Sequence, residues 1–157
     1  MLWRSITLGA YTDLESLRVA LGEGGFRMSE WSRDLLTKVS LAPSRTEINL
    51  VLLSGAQLGF SYDPCLREVV ESARKRGLEP CPNEVGPLLR MQYPRHPEVG
   101  SIHVVMEPIA DLDGKLCMFT LEQHEDSSWL VADSAVPKGR WSLKDLWVFV
   151  LPDIYVS

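Results

Sequence analysis

The side chains with most to offer chemically are His103 and Glu107. If SIHVVMEPI is one extended strand, residues i, i+2 and i+4 share a face, so an imidazole and a carboxylate sit on one surface with Val105 between them. That pairing serves general acid–base catalysis. With His124 or Glu122 from a neighbouring strand, the same face would offer nitrogen and oxygen donors for a divalent metal. The spacing is equally that of a solvent-facing strand, and no HExxH or Cys-x-x-Cys accompanies it. The sequence therefore assigns no metal and no cofactor.

Glu84, Arg90, Gln92 and Tyr93 form a second set with Glu107. Should a short helix carry them over the start of the strand, the arginine could hold a carboxylate or phosphate while Glu107 serves as base. The simpler expectation is an ion pair between Arg90 and Glu84 or Glu107 that locks a corner. The nucleophile inventory is thin: there is no GxSxG, and Gly22-Glu-Gly-Gly25 follows a helix and not a strand, so it is a connector. Cys81, between two prolines, reads as a small buried side chain.

These residues depend on a stiff connector. Pro80, Pro82, Pro87, Pro94 and Pro97 fall within eighteen residues and cannot donate a backbone hydrogen bond. Asn83 is placed to cap a short helix in VGPLLRMQY, with Val85, Leu88 and Leu89 inward and Pro87 early enough to be tolerated. Upstream, Thr12 and Glu15 have capping-box spacing ahead of Leu14, Leu17 and Leu21, and Ser29 can cap a helix with Trp31, Leu35 and Val39 on one face. The two are expected to form a helical hairpin.

TEINLVLLS is apolar on both parities, which predicts a strand covered on both sides. Asp63 and Pro64 predict a helix start, with Leu66, Val69, Val70 and Ala73 inward and Gly77 ending it; the Arg74-Lys75-Arg76 cluster complements the helix dipole. After the connector, SIHVVMEPI and KLCMFTLEQ flank the turn residues Asp111 to Gly114, and SSWLVAD and LKDLWVFVLP supply two more strands. This order predicts a single α+β domain over residues 1–157, with the N-terminal helices packed on one face of a mainly antiparallel sheet and a C-terminal β-meander. Trp147 belongs to a core strand. Trp129 and Trp141, near polar loops and with Tyr155 beyond them, are candidates for a partner interface.

The chain of 157 residues carries a net charge of −5, unevenly spread: residues 77–157 hold six Lys/Arg against twelve Asp/Glu. An acidic surface disfavours nucleic acid, whose binding runs on phosphate neutralisation by cations. No apolar run reaches the roughly 20 residues that span a bilayer, and the N-terminus lacks the apolar core of a secretory signal, so no membrane partner and a cytoplasmic location are expected. Three widely spaced cysteines, Cys65, Cys81 and Cys117, read as free thiols.

CPNEVGPLLRMQY, VVMEPI and the closing WVFVLP together resemble a pattern in small bacterial proteins of unassigned function, over about residues 45–152. The matching positions are Cys81, Glu84, Gly86, Pro87, Arg90, Gln92, Tyr93, Glu107 and Pro108; the HPEVGSIH stretch departs from it. The resemblance implies no activity. The expectation is a non-catalytic binding protein of a bacterial cytoplasm that acts on a protein partner or a small-molecule ligand, with an immunity- or antitoxin-like role compatible with its size and acidity. Homodimerisation through an exposed edge of the meander is a further expectation. The alternative is a small hydrolase that uses Glu107 with His103 or Arg90.

Overall fold

Ile6 and Leu8 are buried while Ser5 and Thr7 between and beside them are not, the two-residue period of a half-covered strand. In the computed structural model, which describes residues 1–96 and 101–153, this stretch is β1 (Arg4–Leu8) at one edge of an eight-stranded sheet. Pro97 and Tyr155 lie outside the described residues. β1 pairs antiparallel with β3 (Thr46–Ser54), in which the consecutive residues Leu50 and Val51 are both fully buried. A strand covered on both faces was the expectation for this segment, and it holds.

The sheet order runs β1-β3-β8-β4-β6-β7-β2, with β5 also on β6, where β2 is Arg27–Met28, β4 Ile102–Val104, β5 Ile109–Ala110, β6 Leu116–Gln123, β7 Ser128–Ser134 and β8 Leu146–Leu151. Most pairs are antiparallel; β4 with β8 and β2 with β7 are parallel. The fold is α+β. The expected C-terminal meander stops at β7: β5, β6 and β7 are successive antiparallel neighbours, whereas β8 crosses back to lie between β3 and β4. Its apolar run, with Trp147, Val148 and Phe149 all buried, needs cover on both faces, and an interior position provides it.

Four helices occur among the described residues: α1 (Leu14–Glu23), α2 (Glu30–Leu36), α3 (Leu66–Lys75) and α4 (Val85–Gln92). They do not share one face. Phe119 and Met118 are adjacent in β6 and so point to opposite sides. Phe119 lies under Gly86 of α4, while Met118 lines a groove with Leu66 and Val70 of α3. Nor do α1 and α2 form a hairpin: β2 intervenes, α1 packs on α4 and α2 on β7. α2 ends at Leu36, so its buried pair is Leu35 and Leu36, and Trp31 is left 45% exposed.

The caps follow the local chemistry. Asp13 accepts from the Ser16 amide ahead of α1, and Ser29 from the Ser32 amide ahead of α2. α3 begins two residues later than its sequence suggests. Cys65 is its N-cap, the Glu68 carboxylate reaches back to the Cys65 amide, and Asp63 instead accepts from the Leu143 amide. Gly77, with φ +78°, closes α3 in the left-handed conformation that glycine adopts without strain.

α4 can sit close to the sheet because residue 86 has no side chain. A Cβ at Gly86 would lie 2.5–2.7 Å from the Phe119 side chain, well inside van der Waals contact. We expect Gly86→Ala to cost about 1–3 kcal/mol, the usual penalty of overpacking a filled core, read as a lower urea midpoint at unchanged slope. An unchanged midpoint would mean that α4 is free to move off β6.

Candidate functional site

The residues expected to form a polar site divide into three separate places. Glu84, the N-cap of α4, is buried, and its carboxylate accepts from the amides of Gly9 and Ala42, both at 2.9 Å. Beside it, Asn83 accepts from the Ser40 amide. The two side chains therefore tie the end of β1 and the loop before β3 to the start of α4.

Arg90, two turns along, is fully buried and pairs with neither Glu84 nor Glu107. Its guanidinium donates to the backbone carbonyls of Glu122 and Trp129 at 3.2 Å and of Tyr93 at 2.8 Å. It also contacts His96 Nδ1 at 3.2 Å; arginine has no acceptor, so the imidazole nitrogen accepts. Phe26 lies under the cation at 5.7 Å. Burial lowers the Arg90 pKa to about 10, which leaves it a cation at neutral pH. The expected ion pair is thus corrected: the fork of donors joins α4 to β6 and β7 through backbone carbonyls, which a planar guanidinium can span and a point charge cannot. Gln92 and Tyr93 face β1 instead. The Gln92 amide donates to the Thr7 carbonyl, and Tyr93 packs against Trp3 and under the Arg4 guanidinium, 4.1 Å away.

His103 and Glu107 are not on one strand face. β4 ends at Val104, and the Cys81 amide donates to the Val105 carbonyl at 2.6 Å, which pulls residues 105–108 out of line before β5 resumes on β6. Glu107 is exposed. His103 is buried between Trp141 and Trp147, with ring centroids at 4.6 and 4.7 Å, and hydrogen-bonds Thr120 Oγ1 and Asp145 Oδ2, each at 2.9 Å. Because a carboxylate only accepts, Nε2 donates to Asp145. Thr120, which superficially completes a hydroxyl–imidazole–carboxylate series, is fully buried mid-strand, where no substrate reaches it. Asp145 and Thr120 were not foreseen, since they lie 42 and 17 residues away from His103.

The interface candidates are also engaged. Trp141 packs edge-on against His103 and Trp147, and the half-buried Trp129 donates to Ser127 Oγ at 2.9 Å. His124 contacts Glu122, but among the described residues no group of three His, Cys, Asp or Glu could hold a metal ion. All three cysteines are buried and free. Burial pushes the Cys81 thiol far above its ordinary range, and burial together with Asp111 raises that of Cys117 to about 11, so neither is a thiolate nucleophile at neutral pH.

What remains open is a groove of about 870 Å³ on the α3 side of the sheet. α3 forms one wall, the Pro80–Asn83 segment and the 105–108 bulge form the other, and Met118 and Ala135 lie between. Nothing matches. Comparison of the chain with protein-family models, curated proteins and solved structures returns no counterpart, so its own geometry carries the functional argument. Of the residues singled out from sequence, Glu107 alone among the six ligand candidates lines this groove. Its cations, Arg67 and Arg74, were legible as i, i+7 neighbours on the helix face that carries Val70. No helix among the described residues is long and apolar enough to cross a membrane.

Two expectations follow. Arg90→Lys should cost about 2–4 kcal/mol, because an ammonium at that position leaves buried carbonyls unpaired, whereas Arg74→Lys should stay within about 0.5 kcal/mol; equal denaturation midpoints for the two variants would contradict the assignment. The second concerns the α3 wall. Hydrogen bonds from the Tyr62 hydroxyl and the Cys65 amide lower the Glu68 carboxyl from its usual 4.5 to about 2. A depressed folded-state value stabilises above the unfolded pKa and is lost as pH falls through the folded one. The difference in melting temperature between the parent and Glu68→Gln should therefore be full above pH 5 and shrink from about pH 4.5 towards pH 2. A difference independent of pH would contradict the capping role.

Proposed function

We propose that this protein is a non-catalytic binding protein whose site is the groove between α3 and the proline-rich corner, and that its occupant is a small-molecule ligand. The groove itself carries the reading: at about 870 Å³ it falls within the roughly 300–1,000 Å³ typical of ligand pockets, and it is mainly apolar with a few charged groups at its margins. The groups a hydrolase would need argue the other way. Both terminal nitrogens of Arg90 are held by backbone carbonyls and His96, His103 is enclosed by two indoles, and Glu107 stands apart from both. A protein-partner reading draws less support from Trp129 and Trp141, whose rings pack inward or hydrogen-bond locally.

A ligand that binds only the folded state raises its stability by mass action, about 2.7 kcal/mol at a hundredfold excess over Kd. A thermal-shift screen of apolar and amphipathic metabolites should therefore yield compounds that raise the melting temperature of the parent by several degrees. In Val70→Trp, which fills the groove from the exposed side of α3, those shifts should vanish. Shifts that survive the Val70→Trp change would place the ligand elsewhere and overturn the reading.

A further inference from the structure

Resting on the groove as the binding site, we infer that its ligand is an elongated, single-chain apolar molecule with one anionic head, of the alkyl carboxylate class. Three observations converge. The apolar floor does not end at the groove. Leu116 lies two residues before Met118 on the same strand face, and Leu116 and Val136 are 51% and 53% exposed, so an apolar track runs outward past Met118 towards the end of the sheet. Such a track suits a chain more than a compact metabolite.

The walls are poor in backbone donors. Pro80, Pro82, Pro108 and Pro137 all line the groove, and proline has no N–H. An extended peptide that binds by adding a strand needs a row of free backbone groups, and these walls do not supply one. Polar recognition therefore falls to side chains.

The side chains that can provide it are Arg67 and Arg74. They stand two helical turns apart on the groove face of α3, and neither has an ion-pair or hydrogen-bond partner for its side chain among the described residues. Glu71, between them, and Glu107, across the groove, are exposed and are the carboxylates a cationic head would seek. The groove lining itself holds two of each charge, and the cationic surplus lies just beyond it: Lys75 and the C-cap Arg76 add two cations at the end of α3, while the acid Glu68 is already occupied by Tyr62 and Cys65. Guanidinium is also weakly hydrated and matches a carboxylate with two parallel hydrogen bonds.

The test is titration calorimetry of the full chain with three ten-carbon probes below their micelle concentrations: decanoate, decanol and decyltrimethylammonium. Decanoate should bind at least tenfold more tightly than the other two, and Arg67→Gln/Arg74→Gln should erase that preference while leaving the folding midpoint unchanged. Raising ionic strength should weaken decanoate alone, as expected for exposed charge pairing. Equal affinity for all three heads, unaffected by the double substitution and lost in Val70→Trp, would overturn the anionic head and leave the groove reading standing. Tighter binding of the cationic probe, lost in Glu71→Gln, would invert the assignment. Decanoate binding that persists in Val70→Trp would overturn both.

Discussion

The carboxylate of Glu84 holds two backbone amides that nothing else in the corner satisfies, and the placement of α4 follows from that contact. Gly9 lies at the end of β1 and Ala42 in the loop before β3, so one side chain at the N-cap of α4 joins three stretches of chain distant in sequence. Buried amides without partners are costly. Position 9 is itself constrained, with φ +74° and the Ser44 carbonyl 2.3 Å from where a Cβ would be, so only glycine brings its amide there. Given that anchor, Gly86 meets Phe119 and Arg90 reaches the carbonyls of β6 and β7.

Two isolated buried charges, an acid and a base on the same short helix, are thus each neutralised by backbone dipoles and not by one another. Such an arrangement specifies geometry at the expense of desolvation, because each charge accepts one placement of its surroundings. His103 acts in a similar way on the other side of the sheet. Its bonds to Thr120 and Asp145 tie the 141–147 segment across β4 and β6, and the same segment's upstream part, Pro137 and Gly139, accepts from the first amides of α3. The polar interior therefore holds the α3 wall in place, and the open groove beside α3 is left apolar.

Much of this was legible where the pattern is local. The strands over Thr46–Ser54, Leu116–Gln123 and Leu146–Leu151 follow from apolar runs, the helix cap Ser29 from its side-chain chemistry, and the buried Trp147 from its two-sided strand; the cap of α1 falls at Asp13, one residue after the Thr12 that the capping-box spacing pointed to. β1 was not foreseen, although Arg4–Leu8 buries Ile6 and Leu8 with the two-residue period of a half-covered strand. What periodicity could not carry was partnership. Arg90 binds carbonyls, which every residue possesses and no sequence distinguishes. The His103–Glu107 face dissolved because a proline-flanked neighbour, Cys81, captures the Val105 carbonyl and breaks the strand. The groove, in turn, arises from elements whose juxtaposition depends on the crossing of β8.

The most direct test of the account is an amide chemical-shift map of the protein titrated with decanoate. If the polar clusters are structural and the groove is the site, the shifts concentrate at Val70, Glu71, Met118 and Ala135, while His103, Thr120 and the Arg90 corner remain still. Shifts centred on His103 and Asp145, or on Arg90 and its carbonyl partners, would contradict it and return those residues to the binding site.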